Sequence, residues 1–279
     1  MAQGLPEPLV AAVLERLGLP RAPSPDRDGL ALLYRAWCRG IPWDNVQKRI
    51  SVVERRPVLA GAEPEEFFAN FLAHRTGGTC WPSSGALHAL LRSLGFSARR
   101  AVGSMHHRRF GPNVNHGTTI VAVDGEDLLV DSSILNEVPL PLHRGETTAI
   151  QSAVHPIRAV PAGELWELLW APMGRDEEVP CLLLEDDAPG ERWSERYERS
   201  RVEGFSYTVT LRRNFSEGVL SLGNGRRAFK DANGAIASAA VDDTEVRRLL
   251  AEEAGLSPAI VARLPADEPD PRAGRAPRP

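Results

Sequence analysis

Hydrophobic periodicity changes once along this chain, close to Gly95, and that change constrains the fold more than any other feature. Before it, apolar residues recur at the three-and-four spacing of amphipathic helices. Residues 5–17 and 30–38 read as helices, the first broken by Gly18 and Pro20 and the second closed by Gly40. Residues 64–74 open with Pro64, Glu65 and Glu66, good helix-start chemistry, and read as a third. Between the second and third lies I-P-W-D-N-V-Q, where Pro42 prevents helix continuation and the polar residues need local partners. Another helix starts directly behind Cys80, with Leu87, Leu90, Leu91 and Leu94 on one face and Gly95 placed to end it.

After Gly95 the pattern is that of strands. Residues 97–104, 117–123 and 127–130 read as strands, and Asp124-Gly125 is a strong hairpin turn between the last two. Residues 105–115 read as a polar loop, and 136–165 give few period cues. Apolar runs at 179–184, 205–211 and 218–222 extend a mostly antiparallel sheet, and 243–253 reads as a late helix. Beyond Pro265 the tail is too polar and proline-rich to pack, so disorder is expected there. Helices first and antiparallel strands after make an α+β chain.

Composition narrows the function classes. With 42% apolar and 25% charged residues this is an ordinary globular chain, and its 279 residues can bury a sizeable core. A formal net charge of −4 supplies no basic field for nucleic acid. No apolar run is long enough to span a bilayer, and the first residues lack the layout of a signal peptide. Cys38, Cys80 and Cys181 are too widely separated for a disulfide framework. The expectation is a cytoplasmic, reduced protein with neither nucleic-acid nor membrane partners, where a working thiol survives.

Cys80 is the candidate for that thiol. Gly77 and Gly78 lead into it, allowing a sharp turn and close approach of a substrate. A thiol at a helix N-terminus feels the positive end of the dipole, which favours thiolate. A cysteine nucleophile needs a base and a group that orients the base. His116 opens one hairpin strand and Asp131 closes the other. Seven residues separate His116 from Asp124 and five separate Gly125 from Asp131, so antiparallel pairing brings imidazole and carboxylate together. Each residue alone has a plain structural alternative: inert packing for the cysteine, a hydrogen-bonded strand histidine, a strand-end cap for the aspartate.

The other histidines read differently. His74, near a helix end, reads as structural, and His88 as a helix-surface residue. His106 and His107 lie with Arg108 and Arg109 in a solvated loop that could meet an anionic substrate. No C-x-x-C, H-x-x-x-H or H-E-x-x-H spacing occurs, so no metal site is expected.

With these residues in place, the sequence resembles the arylamine N-acetyltransferase family. That family carries R-G-G-x-C followed by an aromatic, then T-H-hydrophobic on a strand, then L-V-D ending the next. Here they stand as T-G-G-T-C-W at 76–81, N-H-G-T-T-I at 115–120 and L-L-V-D at 128–131. I-P-W-D-N at 41–45 is similar to the family's I-P-F-E-N, and F-S-Y-T-V-T-L-R-R-N at 205–214 resembles a strand of its third domain. The resemblance implies a helical bundle over 1–95 carrying Cys80 and a β-barrel-like domain over 96–195 carrying His116 and Asp131. It further implies an α/β lid over 196–265, with 266–279 left as disordered tail, and a cysteine-protease-like arrangement of the triad. It also implies ping-pong chemistry with no bound cofactor and acetyl-CoA, or another acyl thioester, as co-substrate. The thiolate of Cys80 takes the acyl group and an arylamine, hydrazine or related amine receives it. His116 manages the protons and Asp131 fixes the imidazole.

The departures bear on substrate. The family's Arg before the glycines is Thr76 and its Glu two residues after the Cys is Pro82, which suggests an ion pair replaced as a unit, with Arg75 as a partial stand-in. Its G-F-G after the Asp is Ser133-Ile134-Leu135, expected to reshape the acceptor pocket. No residue contacting CoA is assigned. Two alternatives stay open: an amide synthase taking its acyl chain from an acyl carrier protein, and a transglutaminase-like cysteine hydrolase.

Overall fold

The computed structural model describes residues 4–173 and 177–271. Its first part comprises α1 (Glu7–Arg16), α2 (Arg27–Gly40), the short strand β1 (Trp43–Asp44), α3 (Val46–Val53), α4 (Pro64–His74) and α5 (Cys80–Ser93). The proline-rich turn before α2 holds that helix's cap: the Asp26 carboxylate accepts from the Gly29 N–H at 2.8 Å. Pro64 sits in the first turn of α4, and Arg75, in the left-handed conformation, ends it. The helices close on a core in which Trp37 stacks on Phe67 at 6.0 Å between ring centroids, with Leu87, Leu90 and Leu91 of α5 buried against it.

Helix α3 is absent from the sequence reading because it has no polar face. Gln47, Lys48, Arg49 and Ser51 are buried along with Val46 and Ile50. Arg49 shows how such a residue is tolerated. Its guanidinium, 1% exposed, donates to Asp267 Oδ1 at 2.7 Å, to the Ala266 carbonyl at 2.7 Å and to the Tyr207 carbonyl at 2.9 Å. The tail expected to be disordered from 266 is therefore tied down at its start, and Glu268 N–H adds a bond to Tyr207 O. Residues 272–279 lie outside the described residues.

The middle of the chain forms β2 (Ser97–Met105), a one-turn helix α6 (His107–Phe110), β3 (His116–Val123), β4 (Glu126–Val130), β5 (Leu140–Pro141), β6 (Thr148–Ile150), β7 (Ile157–Ala162), β8 (Leu165–Trp170) and β9 (Val179–Glu185). The strands make one antiparallel sheet in the order β5-β4-β3-β2-β9-β8-β7-β6. It curls until its two edges meet, where the Thr148 hydroxyl donates to the Pro141 carbonyl, giving a nearly closed barrel. Ile120, Leu129, Trp166, Leu168 and Cys181 fill its interior. Strands β5 to β8 occupy the stretch without period cues. Two of them are only two or three residues long, and Pro141 and Pro161 interrupt the alternation.

The last part contains α7 (Gly190–Arg199), 3-10 turns at Ser200–Val202 and Gly204–Ser206, β10 (Thr210–Phe215), β11 (Gly218–Gly223), β12 (Arg226–Asp231), β13 (Ile236–Ala240), α8 (Asp243–Glu252) and α9 (Pro258–Arg263). The run 205–211 thus begins as a turn and becomes strand only at Thr210. The second sheet has the order β1-β10-β11-β12-β13, so it takes its first strand from the helical part of the chain. Helix α7 crosses the boundary expected at 195. No helix among the described residues is long and apolar enough to cross a membrane.

Gly77 and Gly78 serve packing here, not a left-handed turn, since neither has positive φ. A Cβ on Gly77 would lie 1.7 Å from the Pro42 carbonyl oxygen, and one on Gly78 would lie 2.8 Å from the Pro82 ring. The first obstacle is backbone and cannot step aside. Gly77→Ala is expected to cost about 1–3 kcal/mol or more, read as a lowered midpoint in urea unfolding; an unchanged midpoint would contradict this packing.

Candidate active site

Cys80 is the first residue of α5, and the loop before it is laced to β1. The buried Asp44 carboxylate accepts from Gly77 N–H at 2.6 Å and Val46 N–H at 2.9 Å, while Asp44 N–H donates to Gly78 O at 3.3 Å. Burial pushes the Asp44 carboxyl up to about 6, against the pull of those two N–H donors. The Thr79 side chain makes no capping bond, so the N-terminal end of α5 is left facing the thiol. Cys80 is half-buried, whereas Cys38 and Cys181 are fully buried, and all three are free thiols.

His116 begins β3 and pairs with Gly103 of β2. The β3–β4 register sets Thr119 opposite Val130, which continues to Thr118 opposite Asp131. The hairpin is thus offset by two residues from a direct His116–Asp131 pairing. Two residues along a strand is the same face, so the contact forms diagonally. His116 Nε2 lies 2.7 Å from Asp131 Oδ2. The other ring nitrogen is left for Cys80, which lies close enough to help raise the imidazole pKa. His116 is 2% exposed and Asp131 0%.

The carboxylate is held on every side. Asp131 Oδ1 accepts from Ser133 N–H at 2.8 Å and Ile134 N–H at 2.9 Å. Its own N–H donates to the Tyr34 hydroxyl at 3.0 Å, and that hydroxyl lies 2.9 Å from Asp131 O and 2.6 Å from Asn136 Oδ1. Burial alone would pull the His116 pKa down, but Asp131 and Cys80 outweigh it and raise it to about 10. For Asp131 burial acts upward, and His116 with the two N–H donors holds it below the usual carboxylate range.

Helix α7 walls the site. Trp193 meets Trp81 edge to face at 5.0 Å and donates from Nε1 to the Trp81 carbonyl at 2.9 Å. Both rings press on Gly117, beside His116, where a Cβ would lie 2.6 Å from Trp193.

The departures noted in the sequence take definite places. Thr76 Oγ1 accepts from Gln47 at 3.3 Å, Pro82 packs beside Gly61 and Gly78, and Arg75 is exposed, so none of the three supplies a charged partner. Ile134 and Leu135 are each 1% exposed and packed in the cores rather than presented to a pocket. Leu135 has φ 59°, a conformation that costs a leucine about 1–3 kcal/mol. His88 is half-buried instead of on the surface, and burial with Arg100 and Arg92 nearby pushes it down to about 4. His107 and Arg108 both pair with Glu167, at 3.1 and 2.5 Å, which leaves them less available to a substrate.

Further off, Arg212 is sandwiched between Trp43 and Trp170 at 4.8 and 5.2 Å and donates to Ser133 O at 2.6 Å. Together with Lys230 and His155 it lines a small pocket. Among the described residues no cluster of three or more His, Cys, Asp or Glu is placed to hold a metal ion.

The family model described as N-acetyltransferase matches residues 27–257, a span that contains Cys80, His116 and Asp131. The chain belongs to the arylamine N-acetyltransferase family. Within it, an arylamine N-acetyltransferase of Mycolicibacterium smegmatis is 31% identical over 148 residues, 51% of this chain and 52% of that protein. A proansamycin X synthase of Amycolatopsis mediterranei (strain S699) is 28% identical over 128 residues, 44% of this chain and 46% of that protein. The chain thus spans about half the length of the curated relatives it matches. Among solved structures, an arylamine N-acetyltransferase of Mycobacterium marinum superposes with TM-score 0.78 at 20% identity, covering 91% of this chain and 97% of that one. That of Salmonella typhimurium gives 0.76 at 20% identity, covering 91% and 96%. The α+β fold is therefore that of arylamine N-acetyltransferases.

Sequence reasoning missed Tyr34 and Trp193 around this candidate site, and with Trp193 the Tyr197 that is buried in the same cluster, against which Cys80 packs. Trp193 and Tyr197, at i and i+4 in a polar stretch, carried a helix-face signal; the Tyr34 hydroxyl carried none. The raised His116 pKa stabilises the fold fully below the ordinary histidine value of 6.5, and this contribution is lost as pH rises through about 10. In Asp131→Asn the imidazole titration, followed by NMR, is expected to fall well below its wild-type position, because burial then acts with less opposition. An unmoved titration would remove Asp131 as the cause.

Proposed function

We propose that this chain is a ping-pong N-acyltransferase in which Cys80 is acylated by a thioester and deacylated by an amine. The observation that carries this reading is the His116 ring, bonded to a fully buried Asp131 and within electrostatic reach of a half-buried thiol at a helix start. The Cys80 thiolate attacks the thioester carbonyl, the C–S bond to the donor breaks, and the departing thiolate takes a proton from the His116 cation. An amine then attacks the Cys80 thioester, gives its proton to the imidazole, and Cys80 leaves as thiolate. Asp131 keeps the imidazole oriented and stabilises its cation throughout.

The relatives' names support the substrate classes. Likeness to an arylamine N-acetyltransferase favours an aromatic amine or hydrazine as acceptor. A solved Mycobacterium marinum relative in complex with CoA favours acetyl-CoA as co-substrate. Likeness to a proansamycin X synthase is compatible with a second reading, an amide synthase, for which the acyl donor would be a carrier-protein thioester. Family membership weighs against a transglutaminase-like hydrolase.

Intact mass after incubation with candidate thioesters tests the reading. One acyl adduct is expected, absent in Cys80→Ala; an adduct that persists in Cys80→Ala would sink the mechanism. Acetyl-CoA giving the adduct favours the first donor, and only a carrier-bound thioester giving it favours the second. Turnover is expected to fall by about a thousandfold or more in Cys80→Ala and about a hundredfold or more in Asp131→Asn, with circular dichroism unchanged. Cys80 should also react with iodoacetamide faster than a free thiol at neutral pH, and slow in His116→Ala.

A further inference from the structure

Lys48 is 3% exposed, and among the described residues its ammonium makes no hydrogen bond or ion pair. Its stem is buried, but its Nζ is not among the fully enclosed side-chain atoms that lack a partner, so the ammonium stays within reach of a small ligand. Its place in the fold connects it to the nucleophile. Asp44 and Gln47, just before it, are bonded to Gly77, Gly78 and Thr76 of the loop that ends at Cys80. On the opposite side Asn45 donates to Phe205 O at 2.8 Å and Thr208 O at 2.7 Å, which holds the 204–206 turn against the same helix. Lys48 therefore lies between the Cys80 loop and that turn.

The charged groups acting on Lys48 are Glu203, Cys80, Arg201 and Glu198. Glu198 is already engaged, with Arg201 at 2.5 Å and with Leu59 N–H at 2.6 Å. Glu203 is not within ion-pair distance. Burial, the largest influence, pushes the Lys48 ammonium down to about 8, with Glu203 and Cys80 opposing. The cation thus lies within electrostatic reach of the Cys80 thiol and has no protein partner among the described residues.

We infer that Lys48 gives the Cys80 site an anion-binding position, which takes a carboxylate carried by the acyl group or by the acceptor amine. This rests on the proposed function in treating Cys80 as the acylated residue. A carboxylate there would meet a partly desolvated ammonium and complete its hydrogen bonding, so an anionic substrate gains over its uncharged counterpart.

The test uses the full chain, wild type and Lys48→Met. Cys80 is alkylated with iodoacetate and with iodoacetamide, and the ratio of the two rates is compared; Lys48→Met is expected to lower it by about tenfold. Two substrate arms then locate the carboxylate. Succinyl-CoA against butyryl-CoA reports on the acyl group, and an aminobenzoate against its methyl ester reports on the amine. The kcat/KM ratio within one pair should fall by about tenfold in the variant. An alkylation ratio within about twofold of wild type, or a proportional loss for charged and uncharged substrates alike, overturns the proposal. If the alkylation ratio falls while no thioester acylates Cys80, the anion position stands and the transferase reading fails. Should Lys48→Met not fold, benzoate protection of wild-type Cys80 from iodoacetamide decides: protection supports the site and none overturns it.

Discussion

A carboxylate with no exposed surface survives in a protein only when its oxygens are fully engaged, and Asp131 meets that condition. One oxygen faces the imidazole, the other takes two backbone N–H groups, and the peptide on either side of its Cα is gripped by Tyr34. These bonds come from three parts of the chain: the hairpin, the turn that follows it, and α2. The residue that orients the base is thereby also a point where the barrel is fastened to the helical part. Even the strained backbone of Leu135 belongs to this arrangement, since the 131–136 turn must close tightly enough to aim both N–H groups at one oxygen.

Cys80 has a different support. Its loop is set by Asp44 bonding to Gly77 and Gly78, and the helix behind it is fastened to the barrel, where Thr119 donates to Ser84 O and the Ser84 hydroxyl meets Gly117 O and Ser132. The reactive pair is therefore assembled from two braced elements joined one turn past the thiol. Helix α7 closes the remaining side with Trp193 wedged onto Trp81 and Gly117, which keeps both braces in contact.

The parts legible in the sequence were those whose signal is local. Leucines at helical spacing marked α5, and Asp124-Gly125 marked the hairpin, which in turn put His116 near Asp131. The two-residue offset in register was invisible, because it depends on where the strand pairs with β2 as well as β4. Helix α3 was invisible for a related reason. Its buried Lys48 and Arg49 have no amphipathic pattern, and the partners of Arg49 lie 158 to 218 residues away. Strands β5 to β8 escaped because short, proline-bearing strands carry too few alternations to register. Ile134 and Leu135 were expected at a pocket and turned inward instead, a choice made by the two cores they complete.

Strand β1 is two residues long, yet it is shared. Trp43 bridges Gly78 on one side and pairs with Arg212 of β10 on the other, and Asp44 pairs with Leu211. The last sheet and the nucleophile's loop are consequently stitched along a common seam. A hinge swinging that sheet away as a rigid flap would have to tear the loop that carries Cys80. Traffic of reactants past this seam must then run through rotamer changes of the side chains around it, leaving the backbone where it is.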